Sequence, residues 1–123
     1  MNVTLAYAGS ILLIIWSIIH LVPTRAVLRE FGPLDSDNSR QVIMGWLVEG
    51  LTLMFVGVMV LLLLIFKEPD NGATFMVMRI VSAYLLVLAF VSYLVGNRTN
   101  LLPLRASPLM KCAVAAMYLS AST

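Results

Sequence analysis

Three long apolar runs, almost free of charge, constrain the fold of this chain more than any other feature. They span residues 5–22, 41–66 and 75–96, and their only charged side chains are Glu49 and Arg79. The hydrocarbon core of a bilayer is about 30 Å thick and is crossed by roughly 17–25 helical residues. Each run therefore predicts a transmembrane helix.

The composition of the whole chain agrees with a membrane location. Of its 123 residues, 61% are apolar and 11% are charged, whereas soluble domains are roughly half apolar and about a quarter charged. So few charges cannot cover the surface of a soluble protein of this length. The net charge of +2, without a dense run of Lys or Arg, excludes nucleic acid as an expected partner. The expected partners are instead membrane lipids.

A fourth, shorter helix is predicted over residues 109–122. Pro103 and Pro108 argue against a continuous helix from residue 101, because proline removes a backbone donor and disfavours helix in the preceding residue. The small residues Cys112, Ala116 and Ser120 recur every four positions, a spacing that favours close packing between membrane helices. We therefore expect this face to pack inside the protein.

The predicted fold is all-α, an integral membrane up-down four-helix bundle forming a single transmembrane domain over residues 1–123. Its helices are expected at about 5–22, 38–66, 75–96 and 109–122, with the second starting near the capping residues Asp35 and Asp37. The loops at about 23–37 and 97–108 then lie on one side. Most of the basic residues lie in these loops or beside them, namely Arg25, Arg29, Arg40, Arg98 and Arg105. Because basic residues favour the cytoplasm, both termini are predicted outside it, in a bacterial-type plasma (inner) membrane.

Glu49 is the candidate functional residue that stands out most clearly. It lies about eight residues into the second apolar run, roughly 12 Å from the start of that run. A charge at that depth is energetically costly, so an ionisable residue there indicates a functional role. His20 lies near the end of the first helix, in the same half of the bilayer. Each has a tryptophan one turn earlier, Trp16 before His20 and Trp46 before Glu49. We predict that Glu49 and His20 act as an acid/base pair or as polar anchors in an intramembrane pocket.

The predicted binding residues around this pair are mainly aromatic. Aromatic faces can stabilise a developing carbocation, which suits isomerisation, cyclisation or hydration of a lipid-soluble substrate. Arg98 is expected to pair with Glu49, to cap its helix or to bind an anionic headgroup, whereas Lys111, Arg105 and Arg79 are expected to extend towards headgroups. The predicted ligand-binding set is Trp16, Trp46, Gly50, Tyr84 and Arg98.

Three functions remain open at this point. The first is binding or conversion of a small lipophilic molecule, the second is proton-coupled transport through Glu49, and the third is a non-catalytic accessory subunit of a membrane complex. Because four helices enclose little volume, we expect either a small or slender ligand or a site that a second copy of the chain or a partner membrane subunit completes. With one His and one Cys, the chain predicts neither a metal site nor a cofactor. Whether the protein is an enzyme stays open.

Overall fold

The computed structural model of the protein describes residues 1–30, 32–68, 70–96 and 102–123, and this part of the chain is all-helical. Its five helices are α1 (Val3–Leu21), α2 (Thr24–Glu30), α3 (Ser36–Phe66), α4 (Gly72–Gly96) and α5 (Leu102–Ala121). The first three predicted helices, at about 5–22, 38–66 and 75–96, agree with α1, α3 and α4 to within three residues at each end.

Three of the described helices, α1, α3 and α4, are long and apolar enough to cross a membrane. Large apolar side chains such as Ile15, Phe55 and Phe90 are exposed on their outer surfaces. Lipid can solvate such a surface, whereas a soluble monomer rarely leaves one so extensive uncovered. These helices support the prediction of a membrane protein.

The polar segment before α3 fixes where that helix begins. The Asp35 carboxylate accepts a hydrogen bond of 2.7 Å from the backbone N–H of Asn38, which is the expected N-cap arrangement. The short helix α2 precedes it, with Val27 buried and Arg25 and Arg29 exposed. This distribution matches the amphipathic segment expected at a membrane interface.

The fifth helix begins earlier than predicted. It spans 20 residues from Leu102 to Ala121, so residues 102–108, expected in a loop, are helical. Pro103 lies in the first turn, where a backbone N–H has no helical acceptor in any case. Pro108 removes only the hydrogen bond to the carbonyl of Leu104, a loss that packed membrane helices tolerate.

The orientation of α5 about its axis also differs from the prediction. Cys112, Ala116 and Ser120 are all exposed, so their small-residue face lies on the outside of the protein. The inner face instead carries Lys111 and Tyr118, both fully buried. The Tyr118 hydroxyl shares a 2.9 Å hydrogen bond with Ser10 of α1, and buried polar groups of this kind require such partners.

Helices α1 and α5 form the centre of the described structure. Helix α1 packs along both α3 and α5, and α4 packs along α5, whereas α3 and α4 touch only sparsely. Gly57 allows α1 and α3 to approach closely, because a Cβ there would lie 2.9 Å from Ile14 Cγ1. Apolar side chains from all four long helices form one core, including Leu13, Leu53, Leu85 and Val114.

The two ends of the chain lie together beside the α3–α4 connection. The N-terminal ammonium is 3.2 Å from Asp70 Oδ1, and the backbone N–H of Asn2 donates to the carbonyl of Ala121 at 3.3 Å. Arg79, expected to extend outward, donates to the carbonyl of Ser122 at 2.8 Å, just beyond the end of α5. The four long helices therefore run alternately up and down.

Candidate functional site

A buried ion pair lies at the opposite end of the helices from the chain termini. The Lys111 ammonium of α5 donates hydrogen bonds to the Glu49 carboxylate of α3 and, at 2.6 Å, to the Ser92 hydroxyl of α4. These three residues are called the polar cluster below. The Lys111 side chain is fully buried, whereas that of Glu49 is 28% exposed. One side chain thus joins three helices.

The partner of Glu49 differs from the one expected from sequence. Lys111 was predicted to extend to headgroups, but it turns inward and pairs with Glu49. A lysine inside apolar surroundings needs both a counter-charge and hydrogen-bond acceptors, and Glu49 and Ser92 supply them. Arg98, the expected partner, lies outside the described residues.

His20 and Trp46 form a second group, in which each side chain contacts the backbone of the other residue. His20 Nε2 donates to the Trp46 carbonyl at 2.9 Å, and Trp46 Nε1 donates to the His20 carbonyl at 2.8 Å. A carbonyl can only accept, so Nε2 of His20 carries a proton. The two rings also stack, with their centroids 3.9 Å apart and their planes 13° apart. His20 therefore joins the end of α1 to α3.

Gly50 makes this joint sterically feasible. A Cβ at Gly50 would lie 2.9 Å from Cδ2 of His20 and 2.5 Å from Cδ2 of Leu21. A side chain at this position would therefore require the side chains of Leu21 and His20 to shift. The predicted binding residue Gly50 thus packs against α1.

Of the remaining predicted site residues, Trp16 and Tyr84 make no hydrogen bond to either group within the described structure, and Arg98 lies outside it. Trp16 is partly buried against the apolar core, and its indole N–H has no hydrogen-bond partner among the described residues. Tyr84 is 40% exposed on α4, eight residues before Ser92. Within the described part of the chain, no hydrogen bond joins His20 to Glu49. Sequence reasoning placed these two together, and the structure gives each a different partner.

A small cavity of about 160 Å³ adjoins the polar cluster between α3, α4 and α5. Its polar lining includes Ser107, which is 4% exposed and whose hydroxyl has no hydrogen-bond partner among the described residues. A buried hydroxyl without a partner is rare in native proteins and indicates a site for an additional group. The full lining is Glu49, Val91, Ser92, Val95, Leu104 and Ser107.

Sequence reasoning missed Ser92, Ser107 and the inward role of Lys111. One signal was present, because Ser107 and Lys111 are four residues apart and so share a helix face.

In residues 1–30, 32–68, 70–96 and 102–123, no three His, Cys, Asp or Glu side chains lie close enough to hold a metal ion. Comparison with protein-family models, with curated proteins and with solved structures finds no match to the chain.

Proposed function

We propose that the protein crosses a bilayer with α1, α3, α4 and α5 as an up-down bundle and binds a small lipophilic molecule beside the polar cluster. The observation that carries this proposal is the fully buried Lys111, paired with Glu49 at the edge of a cavity. Ionisable groups at membrane depth are rare and usually mark a binding or transport site. A purely structural contact would be made at lower cost by apolar side chains of similar volume.

The size of the cavity limits what can enter it. Sites that enclose a drug-sized ligand have volumes of about 300–1,000 Å³, whereas this cavity measures about 160 Å³. Only the polar end of a slender molecule fits, and its apolar remainder would lie along the outer surface of α4. The exposed apolar side chains Val91 and Val95, which also line the cavity, provide that surface. A second copy of the chain or a partner subunit could cover the molecule further.

Binding is better supported than conversion of the bound molecule. The expected acid/base pair requires proton exchange between His20 and Glu49. His20 is hydrogen-bonded to Trp46, and Glu49 is paired with Lys111. We therefore assign Glu49 and Lys111 the role of polar anchors and leave His20 the role of joining α1 to α3.

A proton-coupled carrier is the alternative, and one observation favours it. Glu49 is 28% exposed while Lys111 is fully buried, so Glu49 is the member of the pair that is open to the surface of the protein. In such a carrier, a proton on Glu49 would remove the ion pair that links α3 to α5. A carrier of this kind would lose the pH dependence of its uptake in Glu49→Gln.

The proposed orientation places α2 at the cytoplasmic face of a bacterial-type plasma membrane, with both termini outside. The exposed Arg25 and Arg29 of α2 support it, because basic residues favour the cytoplasmic side. Reporter fusions at residue 123 and near residue 35 test it. A reporter at residue 123 that is active only in the cytoplasm would contradict the orientation.

Binding is tested by identifying apolar molecules that copurify with the protein. The wild type, Ser107→Leu and Cys112→Ser are purified in a non-ionic detergent, extracted with organic solvent and analysed by mass spectrometry. The leucine occupies the cavity, whereas Cys112 lies on the exposed face of the same helix and serves as the control. We expect a near-stoichiometric amphiphile in the wild type and in Cys112→Ser, reduced at least tenfold in Ser107→Leu. Equal recovery from all three proteins would contradict the proposal.

Two variants, Glu49→Gln and Ser107→Leu, together distinguish the accessory-subunit hypothesis from the binding proposal. If the ion pair is only a structural clamp, this variant loses stability or assembly, and Ser107→Leu has no effect on bound molecules. If the pair anchors a ligand, both variants lose the copurifying amphiphile.

A further inference from the structure

We propose that the polar end of the bound molecule is uncharged and both donates and accepts hydrogen bonds, as a hydroxyl or a primary amide does. The inference rests on the proposed binding function and names the chemical class of the ligand. It is argued from the charge, the hydrogen-bonding groups and the volume of the cavity beside the polar cluster.

Among the described residues, the charges at the cavity balance without a ligand. Glu49 is the one charged residue that these residues contribute to the lining, and Lys111, which does not line the cavity, neutralises it. An anionic group in the cavity would face the Glu49 carboxylate directly. A cationic group would compete with Lys111 for that carboxylate and leave one positive charge unpaired. An uncompensated charge in an apolar site is strongly unfavourable, so the site favours a neutral group.

The hydrogen-bonding groups define what the neutral group must offer. The Glu49 carboxylate can only accept, and one of its oxygens is not used by Lys111. The buried Ser107 hydroxyl has no partner among the described residues and can both donate and accept. A ligand must therefore donate to Glu49, and it must also accept a hydrogen bond if the Ser107 proton is to have a partner. A hydroxyl or a primary amide does so, whereas a ketone or an ester has no donor.

The apolar part of the lining accommodates the start of an alkyl chain. Val91, Val95 and Leu104 provide this part of the wall, and the described residues add no charged side chain to it besides Glu49. The volume of about 160 Å³ equals roughly five water molecules at their share of liquid volume. It therefore holds a small head with the first few methylene groups of the chain. Long-chain alcohols, monoacylglycerols and fatty amides belong to this class.

The test uses three photoreactive probes that differ only in their polar end. Each carries the same eight-carbon chain with an alkyl diazirine, and ends in a hydroxymethyl, a carboxylate or an ammonium group. The full-length protein in a non-ionic detergent is irradiated with each probe at pH 8, where the acid and the amine are charged. Peptide mass spectrometry then locates the labelled residues. We expect the hydroxyl probe to label the lining residues of α4 and α5 at least tenfold more than either charged probe.

Two variants link the labelling to the cavity. Ser107→Leu, which fills the cavity, should reduce labelling by the hydroxyl probe at least tenfold, and Ser107→Ala, which removes only the hydroxyl, should reduce it severalfold. Cys112→Ser, on the exposed face of α5, should label like the wild type. The alanine variant adds no volume, so it keeps the test valid if the leucine variant does not fold.

The outcomes separate this inference from the proposal on which it rests. If a charged probe labels the lining as strongly as the hydroxyl probe, and Ser107→Leu abolishes that labelling, the ligand class is wrong while the binding site stands. If no probe gives labelling that depends on Ser107, the cavity holds only water. The binding function and the ligand class then both fail.

Discussion

Replacing either member of the Glu49–Lys111 pair should destabilise the protein, but by unequal amounts. Glu49→Gln leaves the Lys111 ammonium fully buried, with Ser92 as a remaining neutral acceptor. Breaking a buried pair in this way costs about 3–5 kcal/mol. Lys111→Met leaves a carboxylate that is 28% exposed, and so less enclosed by the protein than the Lys111 ammonium is. Lys111→Met should therefore cost less than Glu49→Gln, about 1–3 kcal/mol, as expected for a partly desolvated group that loses its partner.

The double variant Glu49→Gln/Lys111→Met should recover most of this stability, because no buried charge remains. We expect it to lie within about 1 kcal/mol of the wild type, which corresponds to a coupling energy of at least about 3 kcal/mol. The measurement is unfolding of the purified proteins in non-ionic detergent titrated with SDS, followed by circular dichroism. Arg105→Met, an exposed change on the same helix, is the control and should stay within about 0.5 kcal/mol.

Two results would refute the reasoning. If Lys111→Met costs as much as Glu49→Gln or more, the difference in burial between the two side chains does not govern their energetics. If the effects of the two single changes simply add in the double variant, the pair contributes no coupling, and Glu49 and Lys111 act independently.

Three further changes test the joint between α1 and α3 and the contact between α1 and α5. Gly50→Ala places a Cβ 2.9 Å from the His20 ring and should cost about 1–3 kcal/mol of stability. Gly45→Ala, where no atom lies within 4 Å of the added Cβ, should be neutral or stabilising by up to about 1 kcal/mol. Equal effects of the two changes in the same SDS titration would show that the close approach of α1 to Gly50 is unimportant. Trp46→Phe removes the indole donor to the His20 carbonyl and should cost about 1 kcal/mol or more, and unchanged stability would argue against that hydrogen bond. Tyr118→Phe removes the hydrogen bond to Ser10 of α1 and should lower stability by about 1 kcal/mol. A more stable variant would contradict a stabilising role for this hydrogen bond.

The positions of the helices were predictable because length, composition and capping residues act locally. Helix α3 contains the second apolar run and begins just after Asp35, whose side chain caps the helix as expected. The predicted start of α5 was wrong because the prediction treated proline as a helix breaker. Pro103 lies in the first turn, where it is tolerated, and Pro108 is accommodated inside the helix.

The partners of the site residues were not predictable in the same way. In a soluble protein the apolar face of a helix marks the side that packs inside. Here every face of α1, α3 and α4 is largely apolar, so periodicity does not reveal how a helix is rotated about its axis. The small residues of α5 suggested one rotation, and the buried Lys111 and Tyr118 show another.

The sequence alone determined which segments form long apolar helices and identified Glu49 as a charged residue at membrane depth, because both follow from composition and spacing along the chain. Only the tertiary structure decided that Glu49 pairs with Lys111, that His20 pairs with Trp46, and that Ser107 lines a cavity beside Glu49. These contacts depend on how α1, α3, α4 and α5 are rotated and how closely they approach. Glycine contacts such as Gly50 against His20, and buried hydrogen bonds between helices, fix that arrangement.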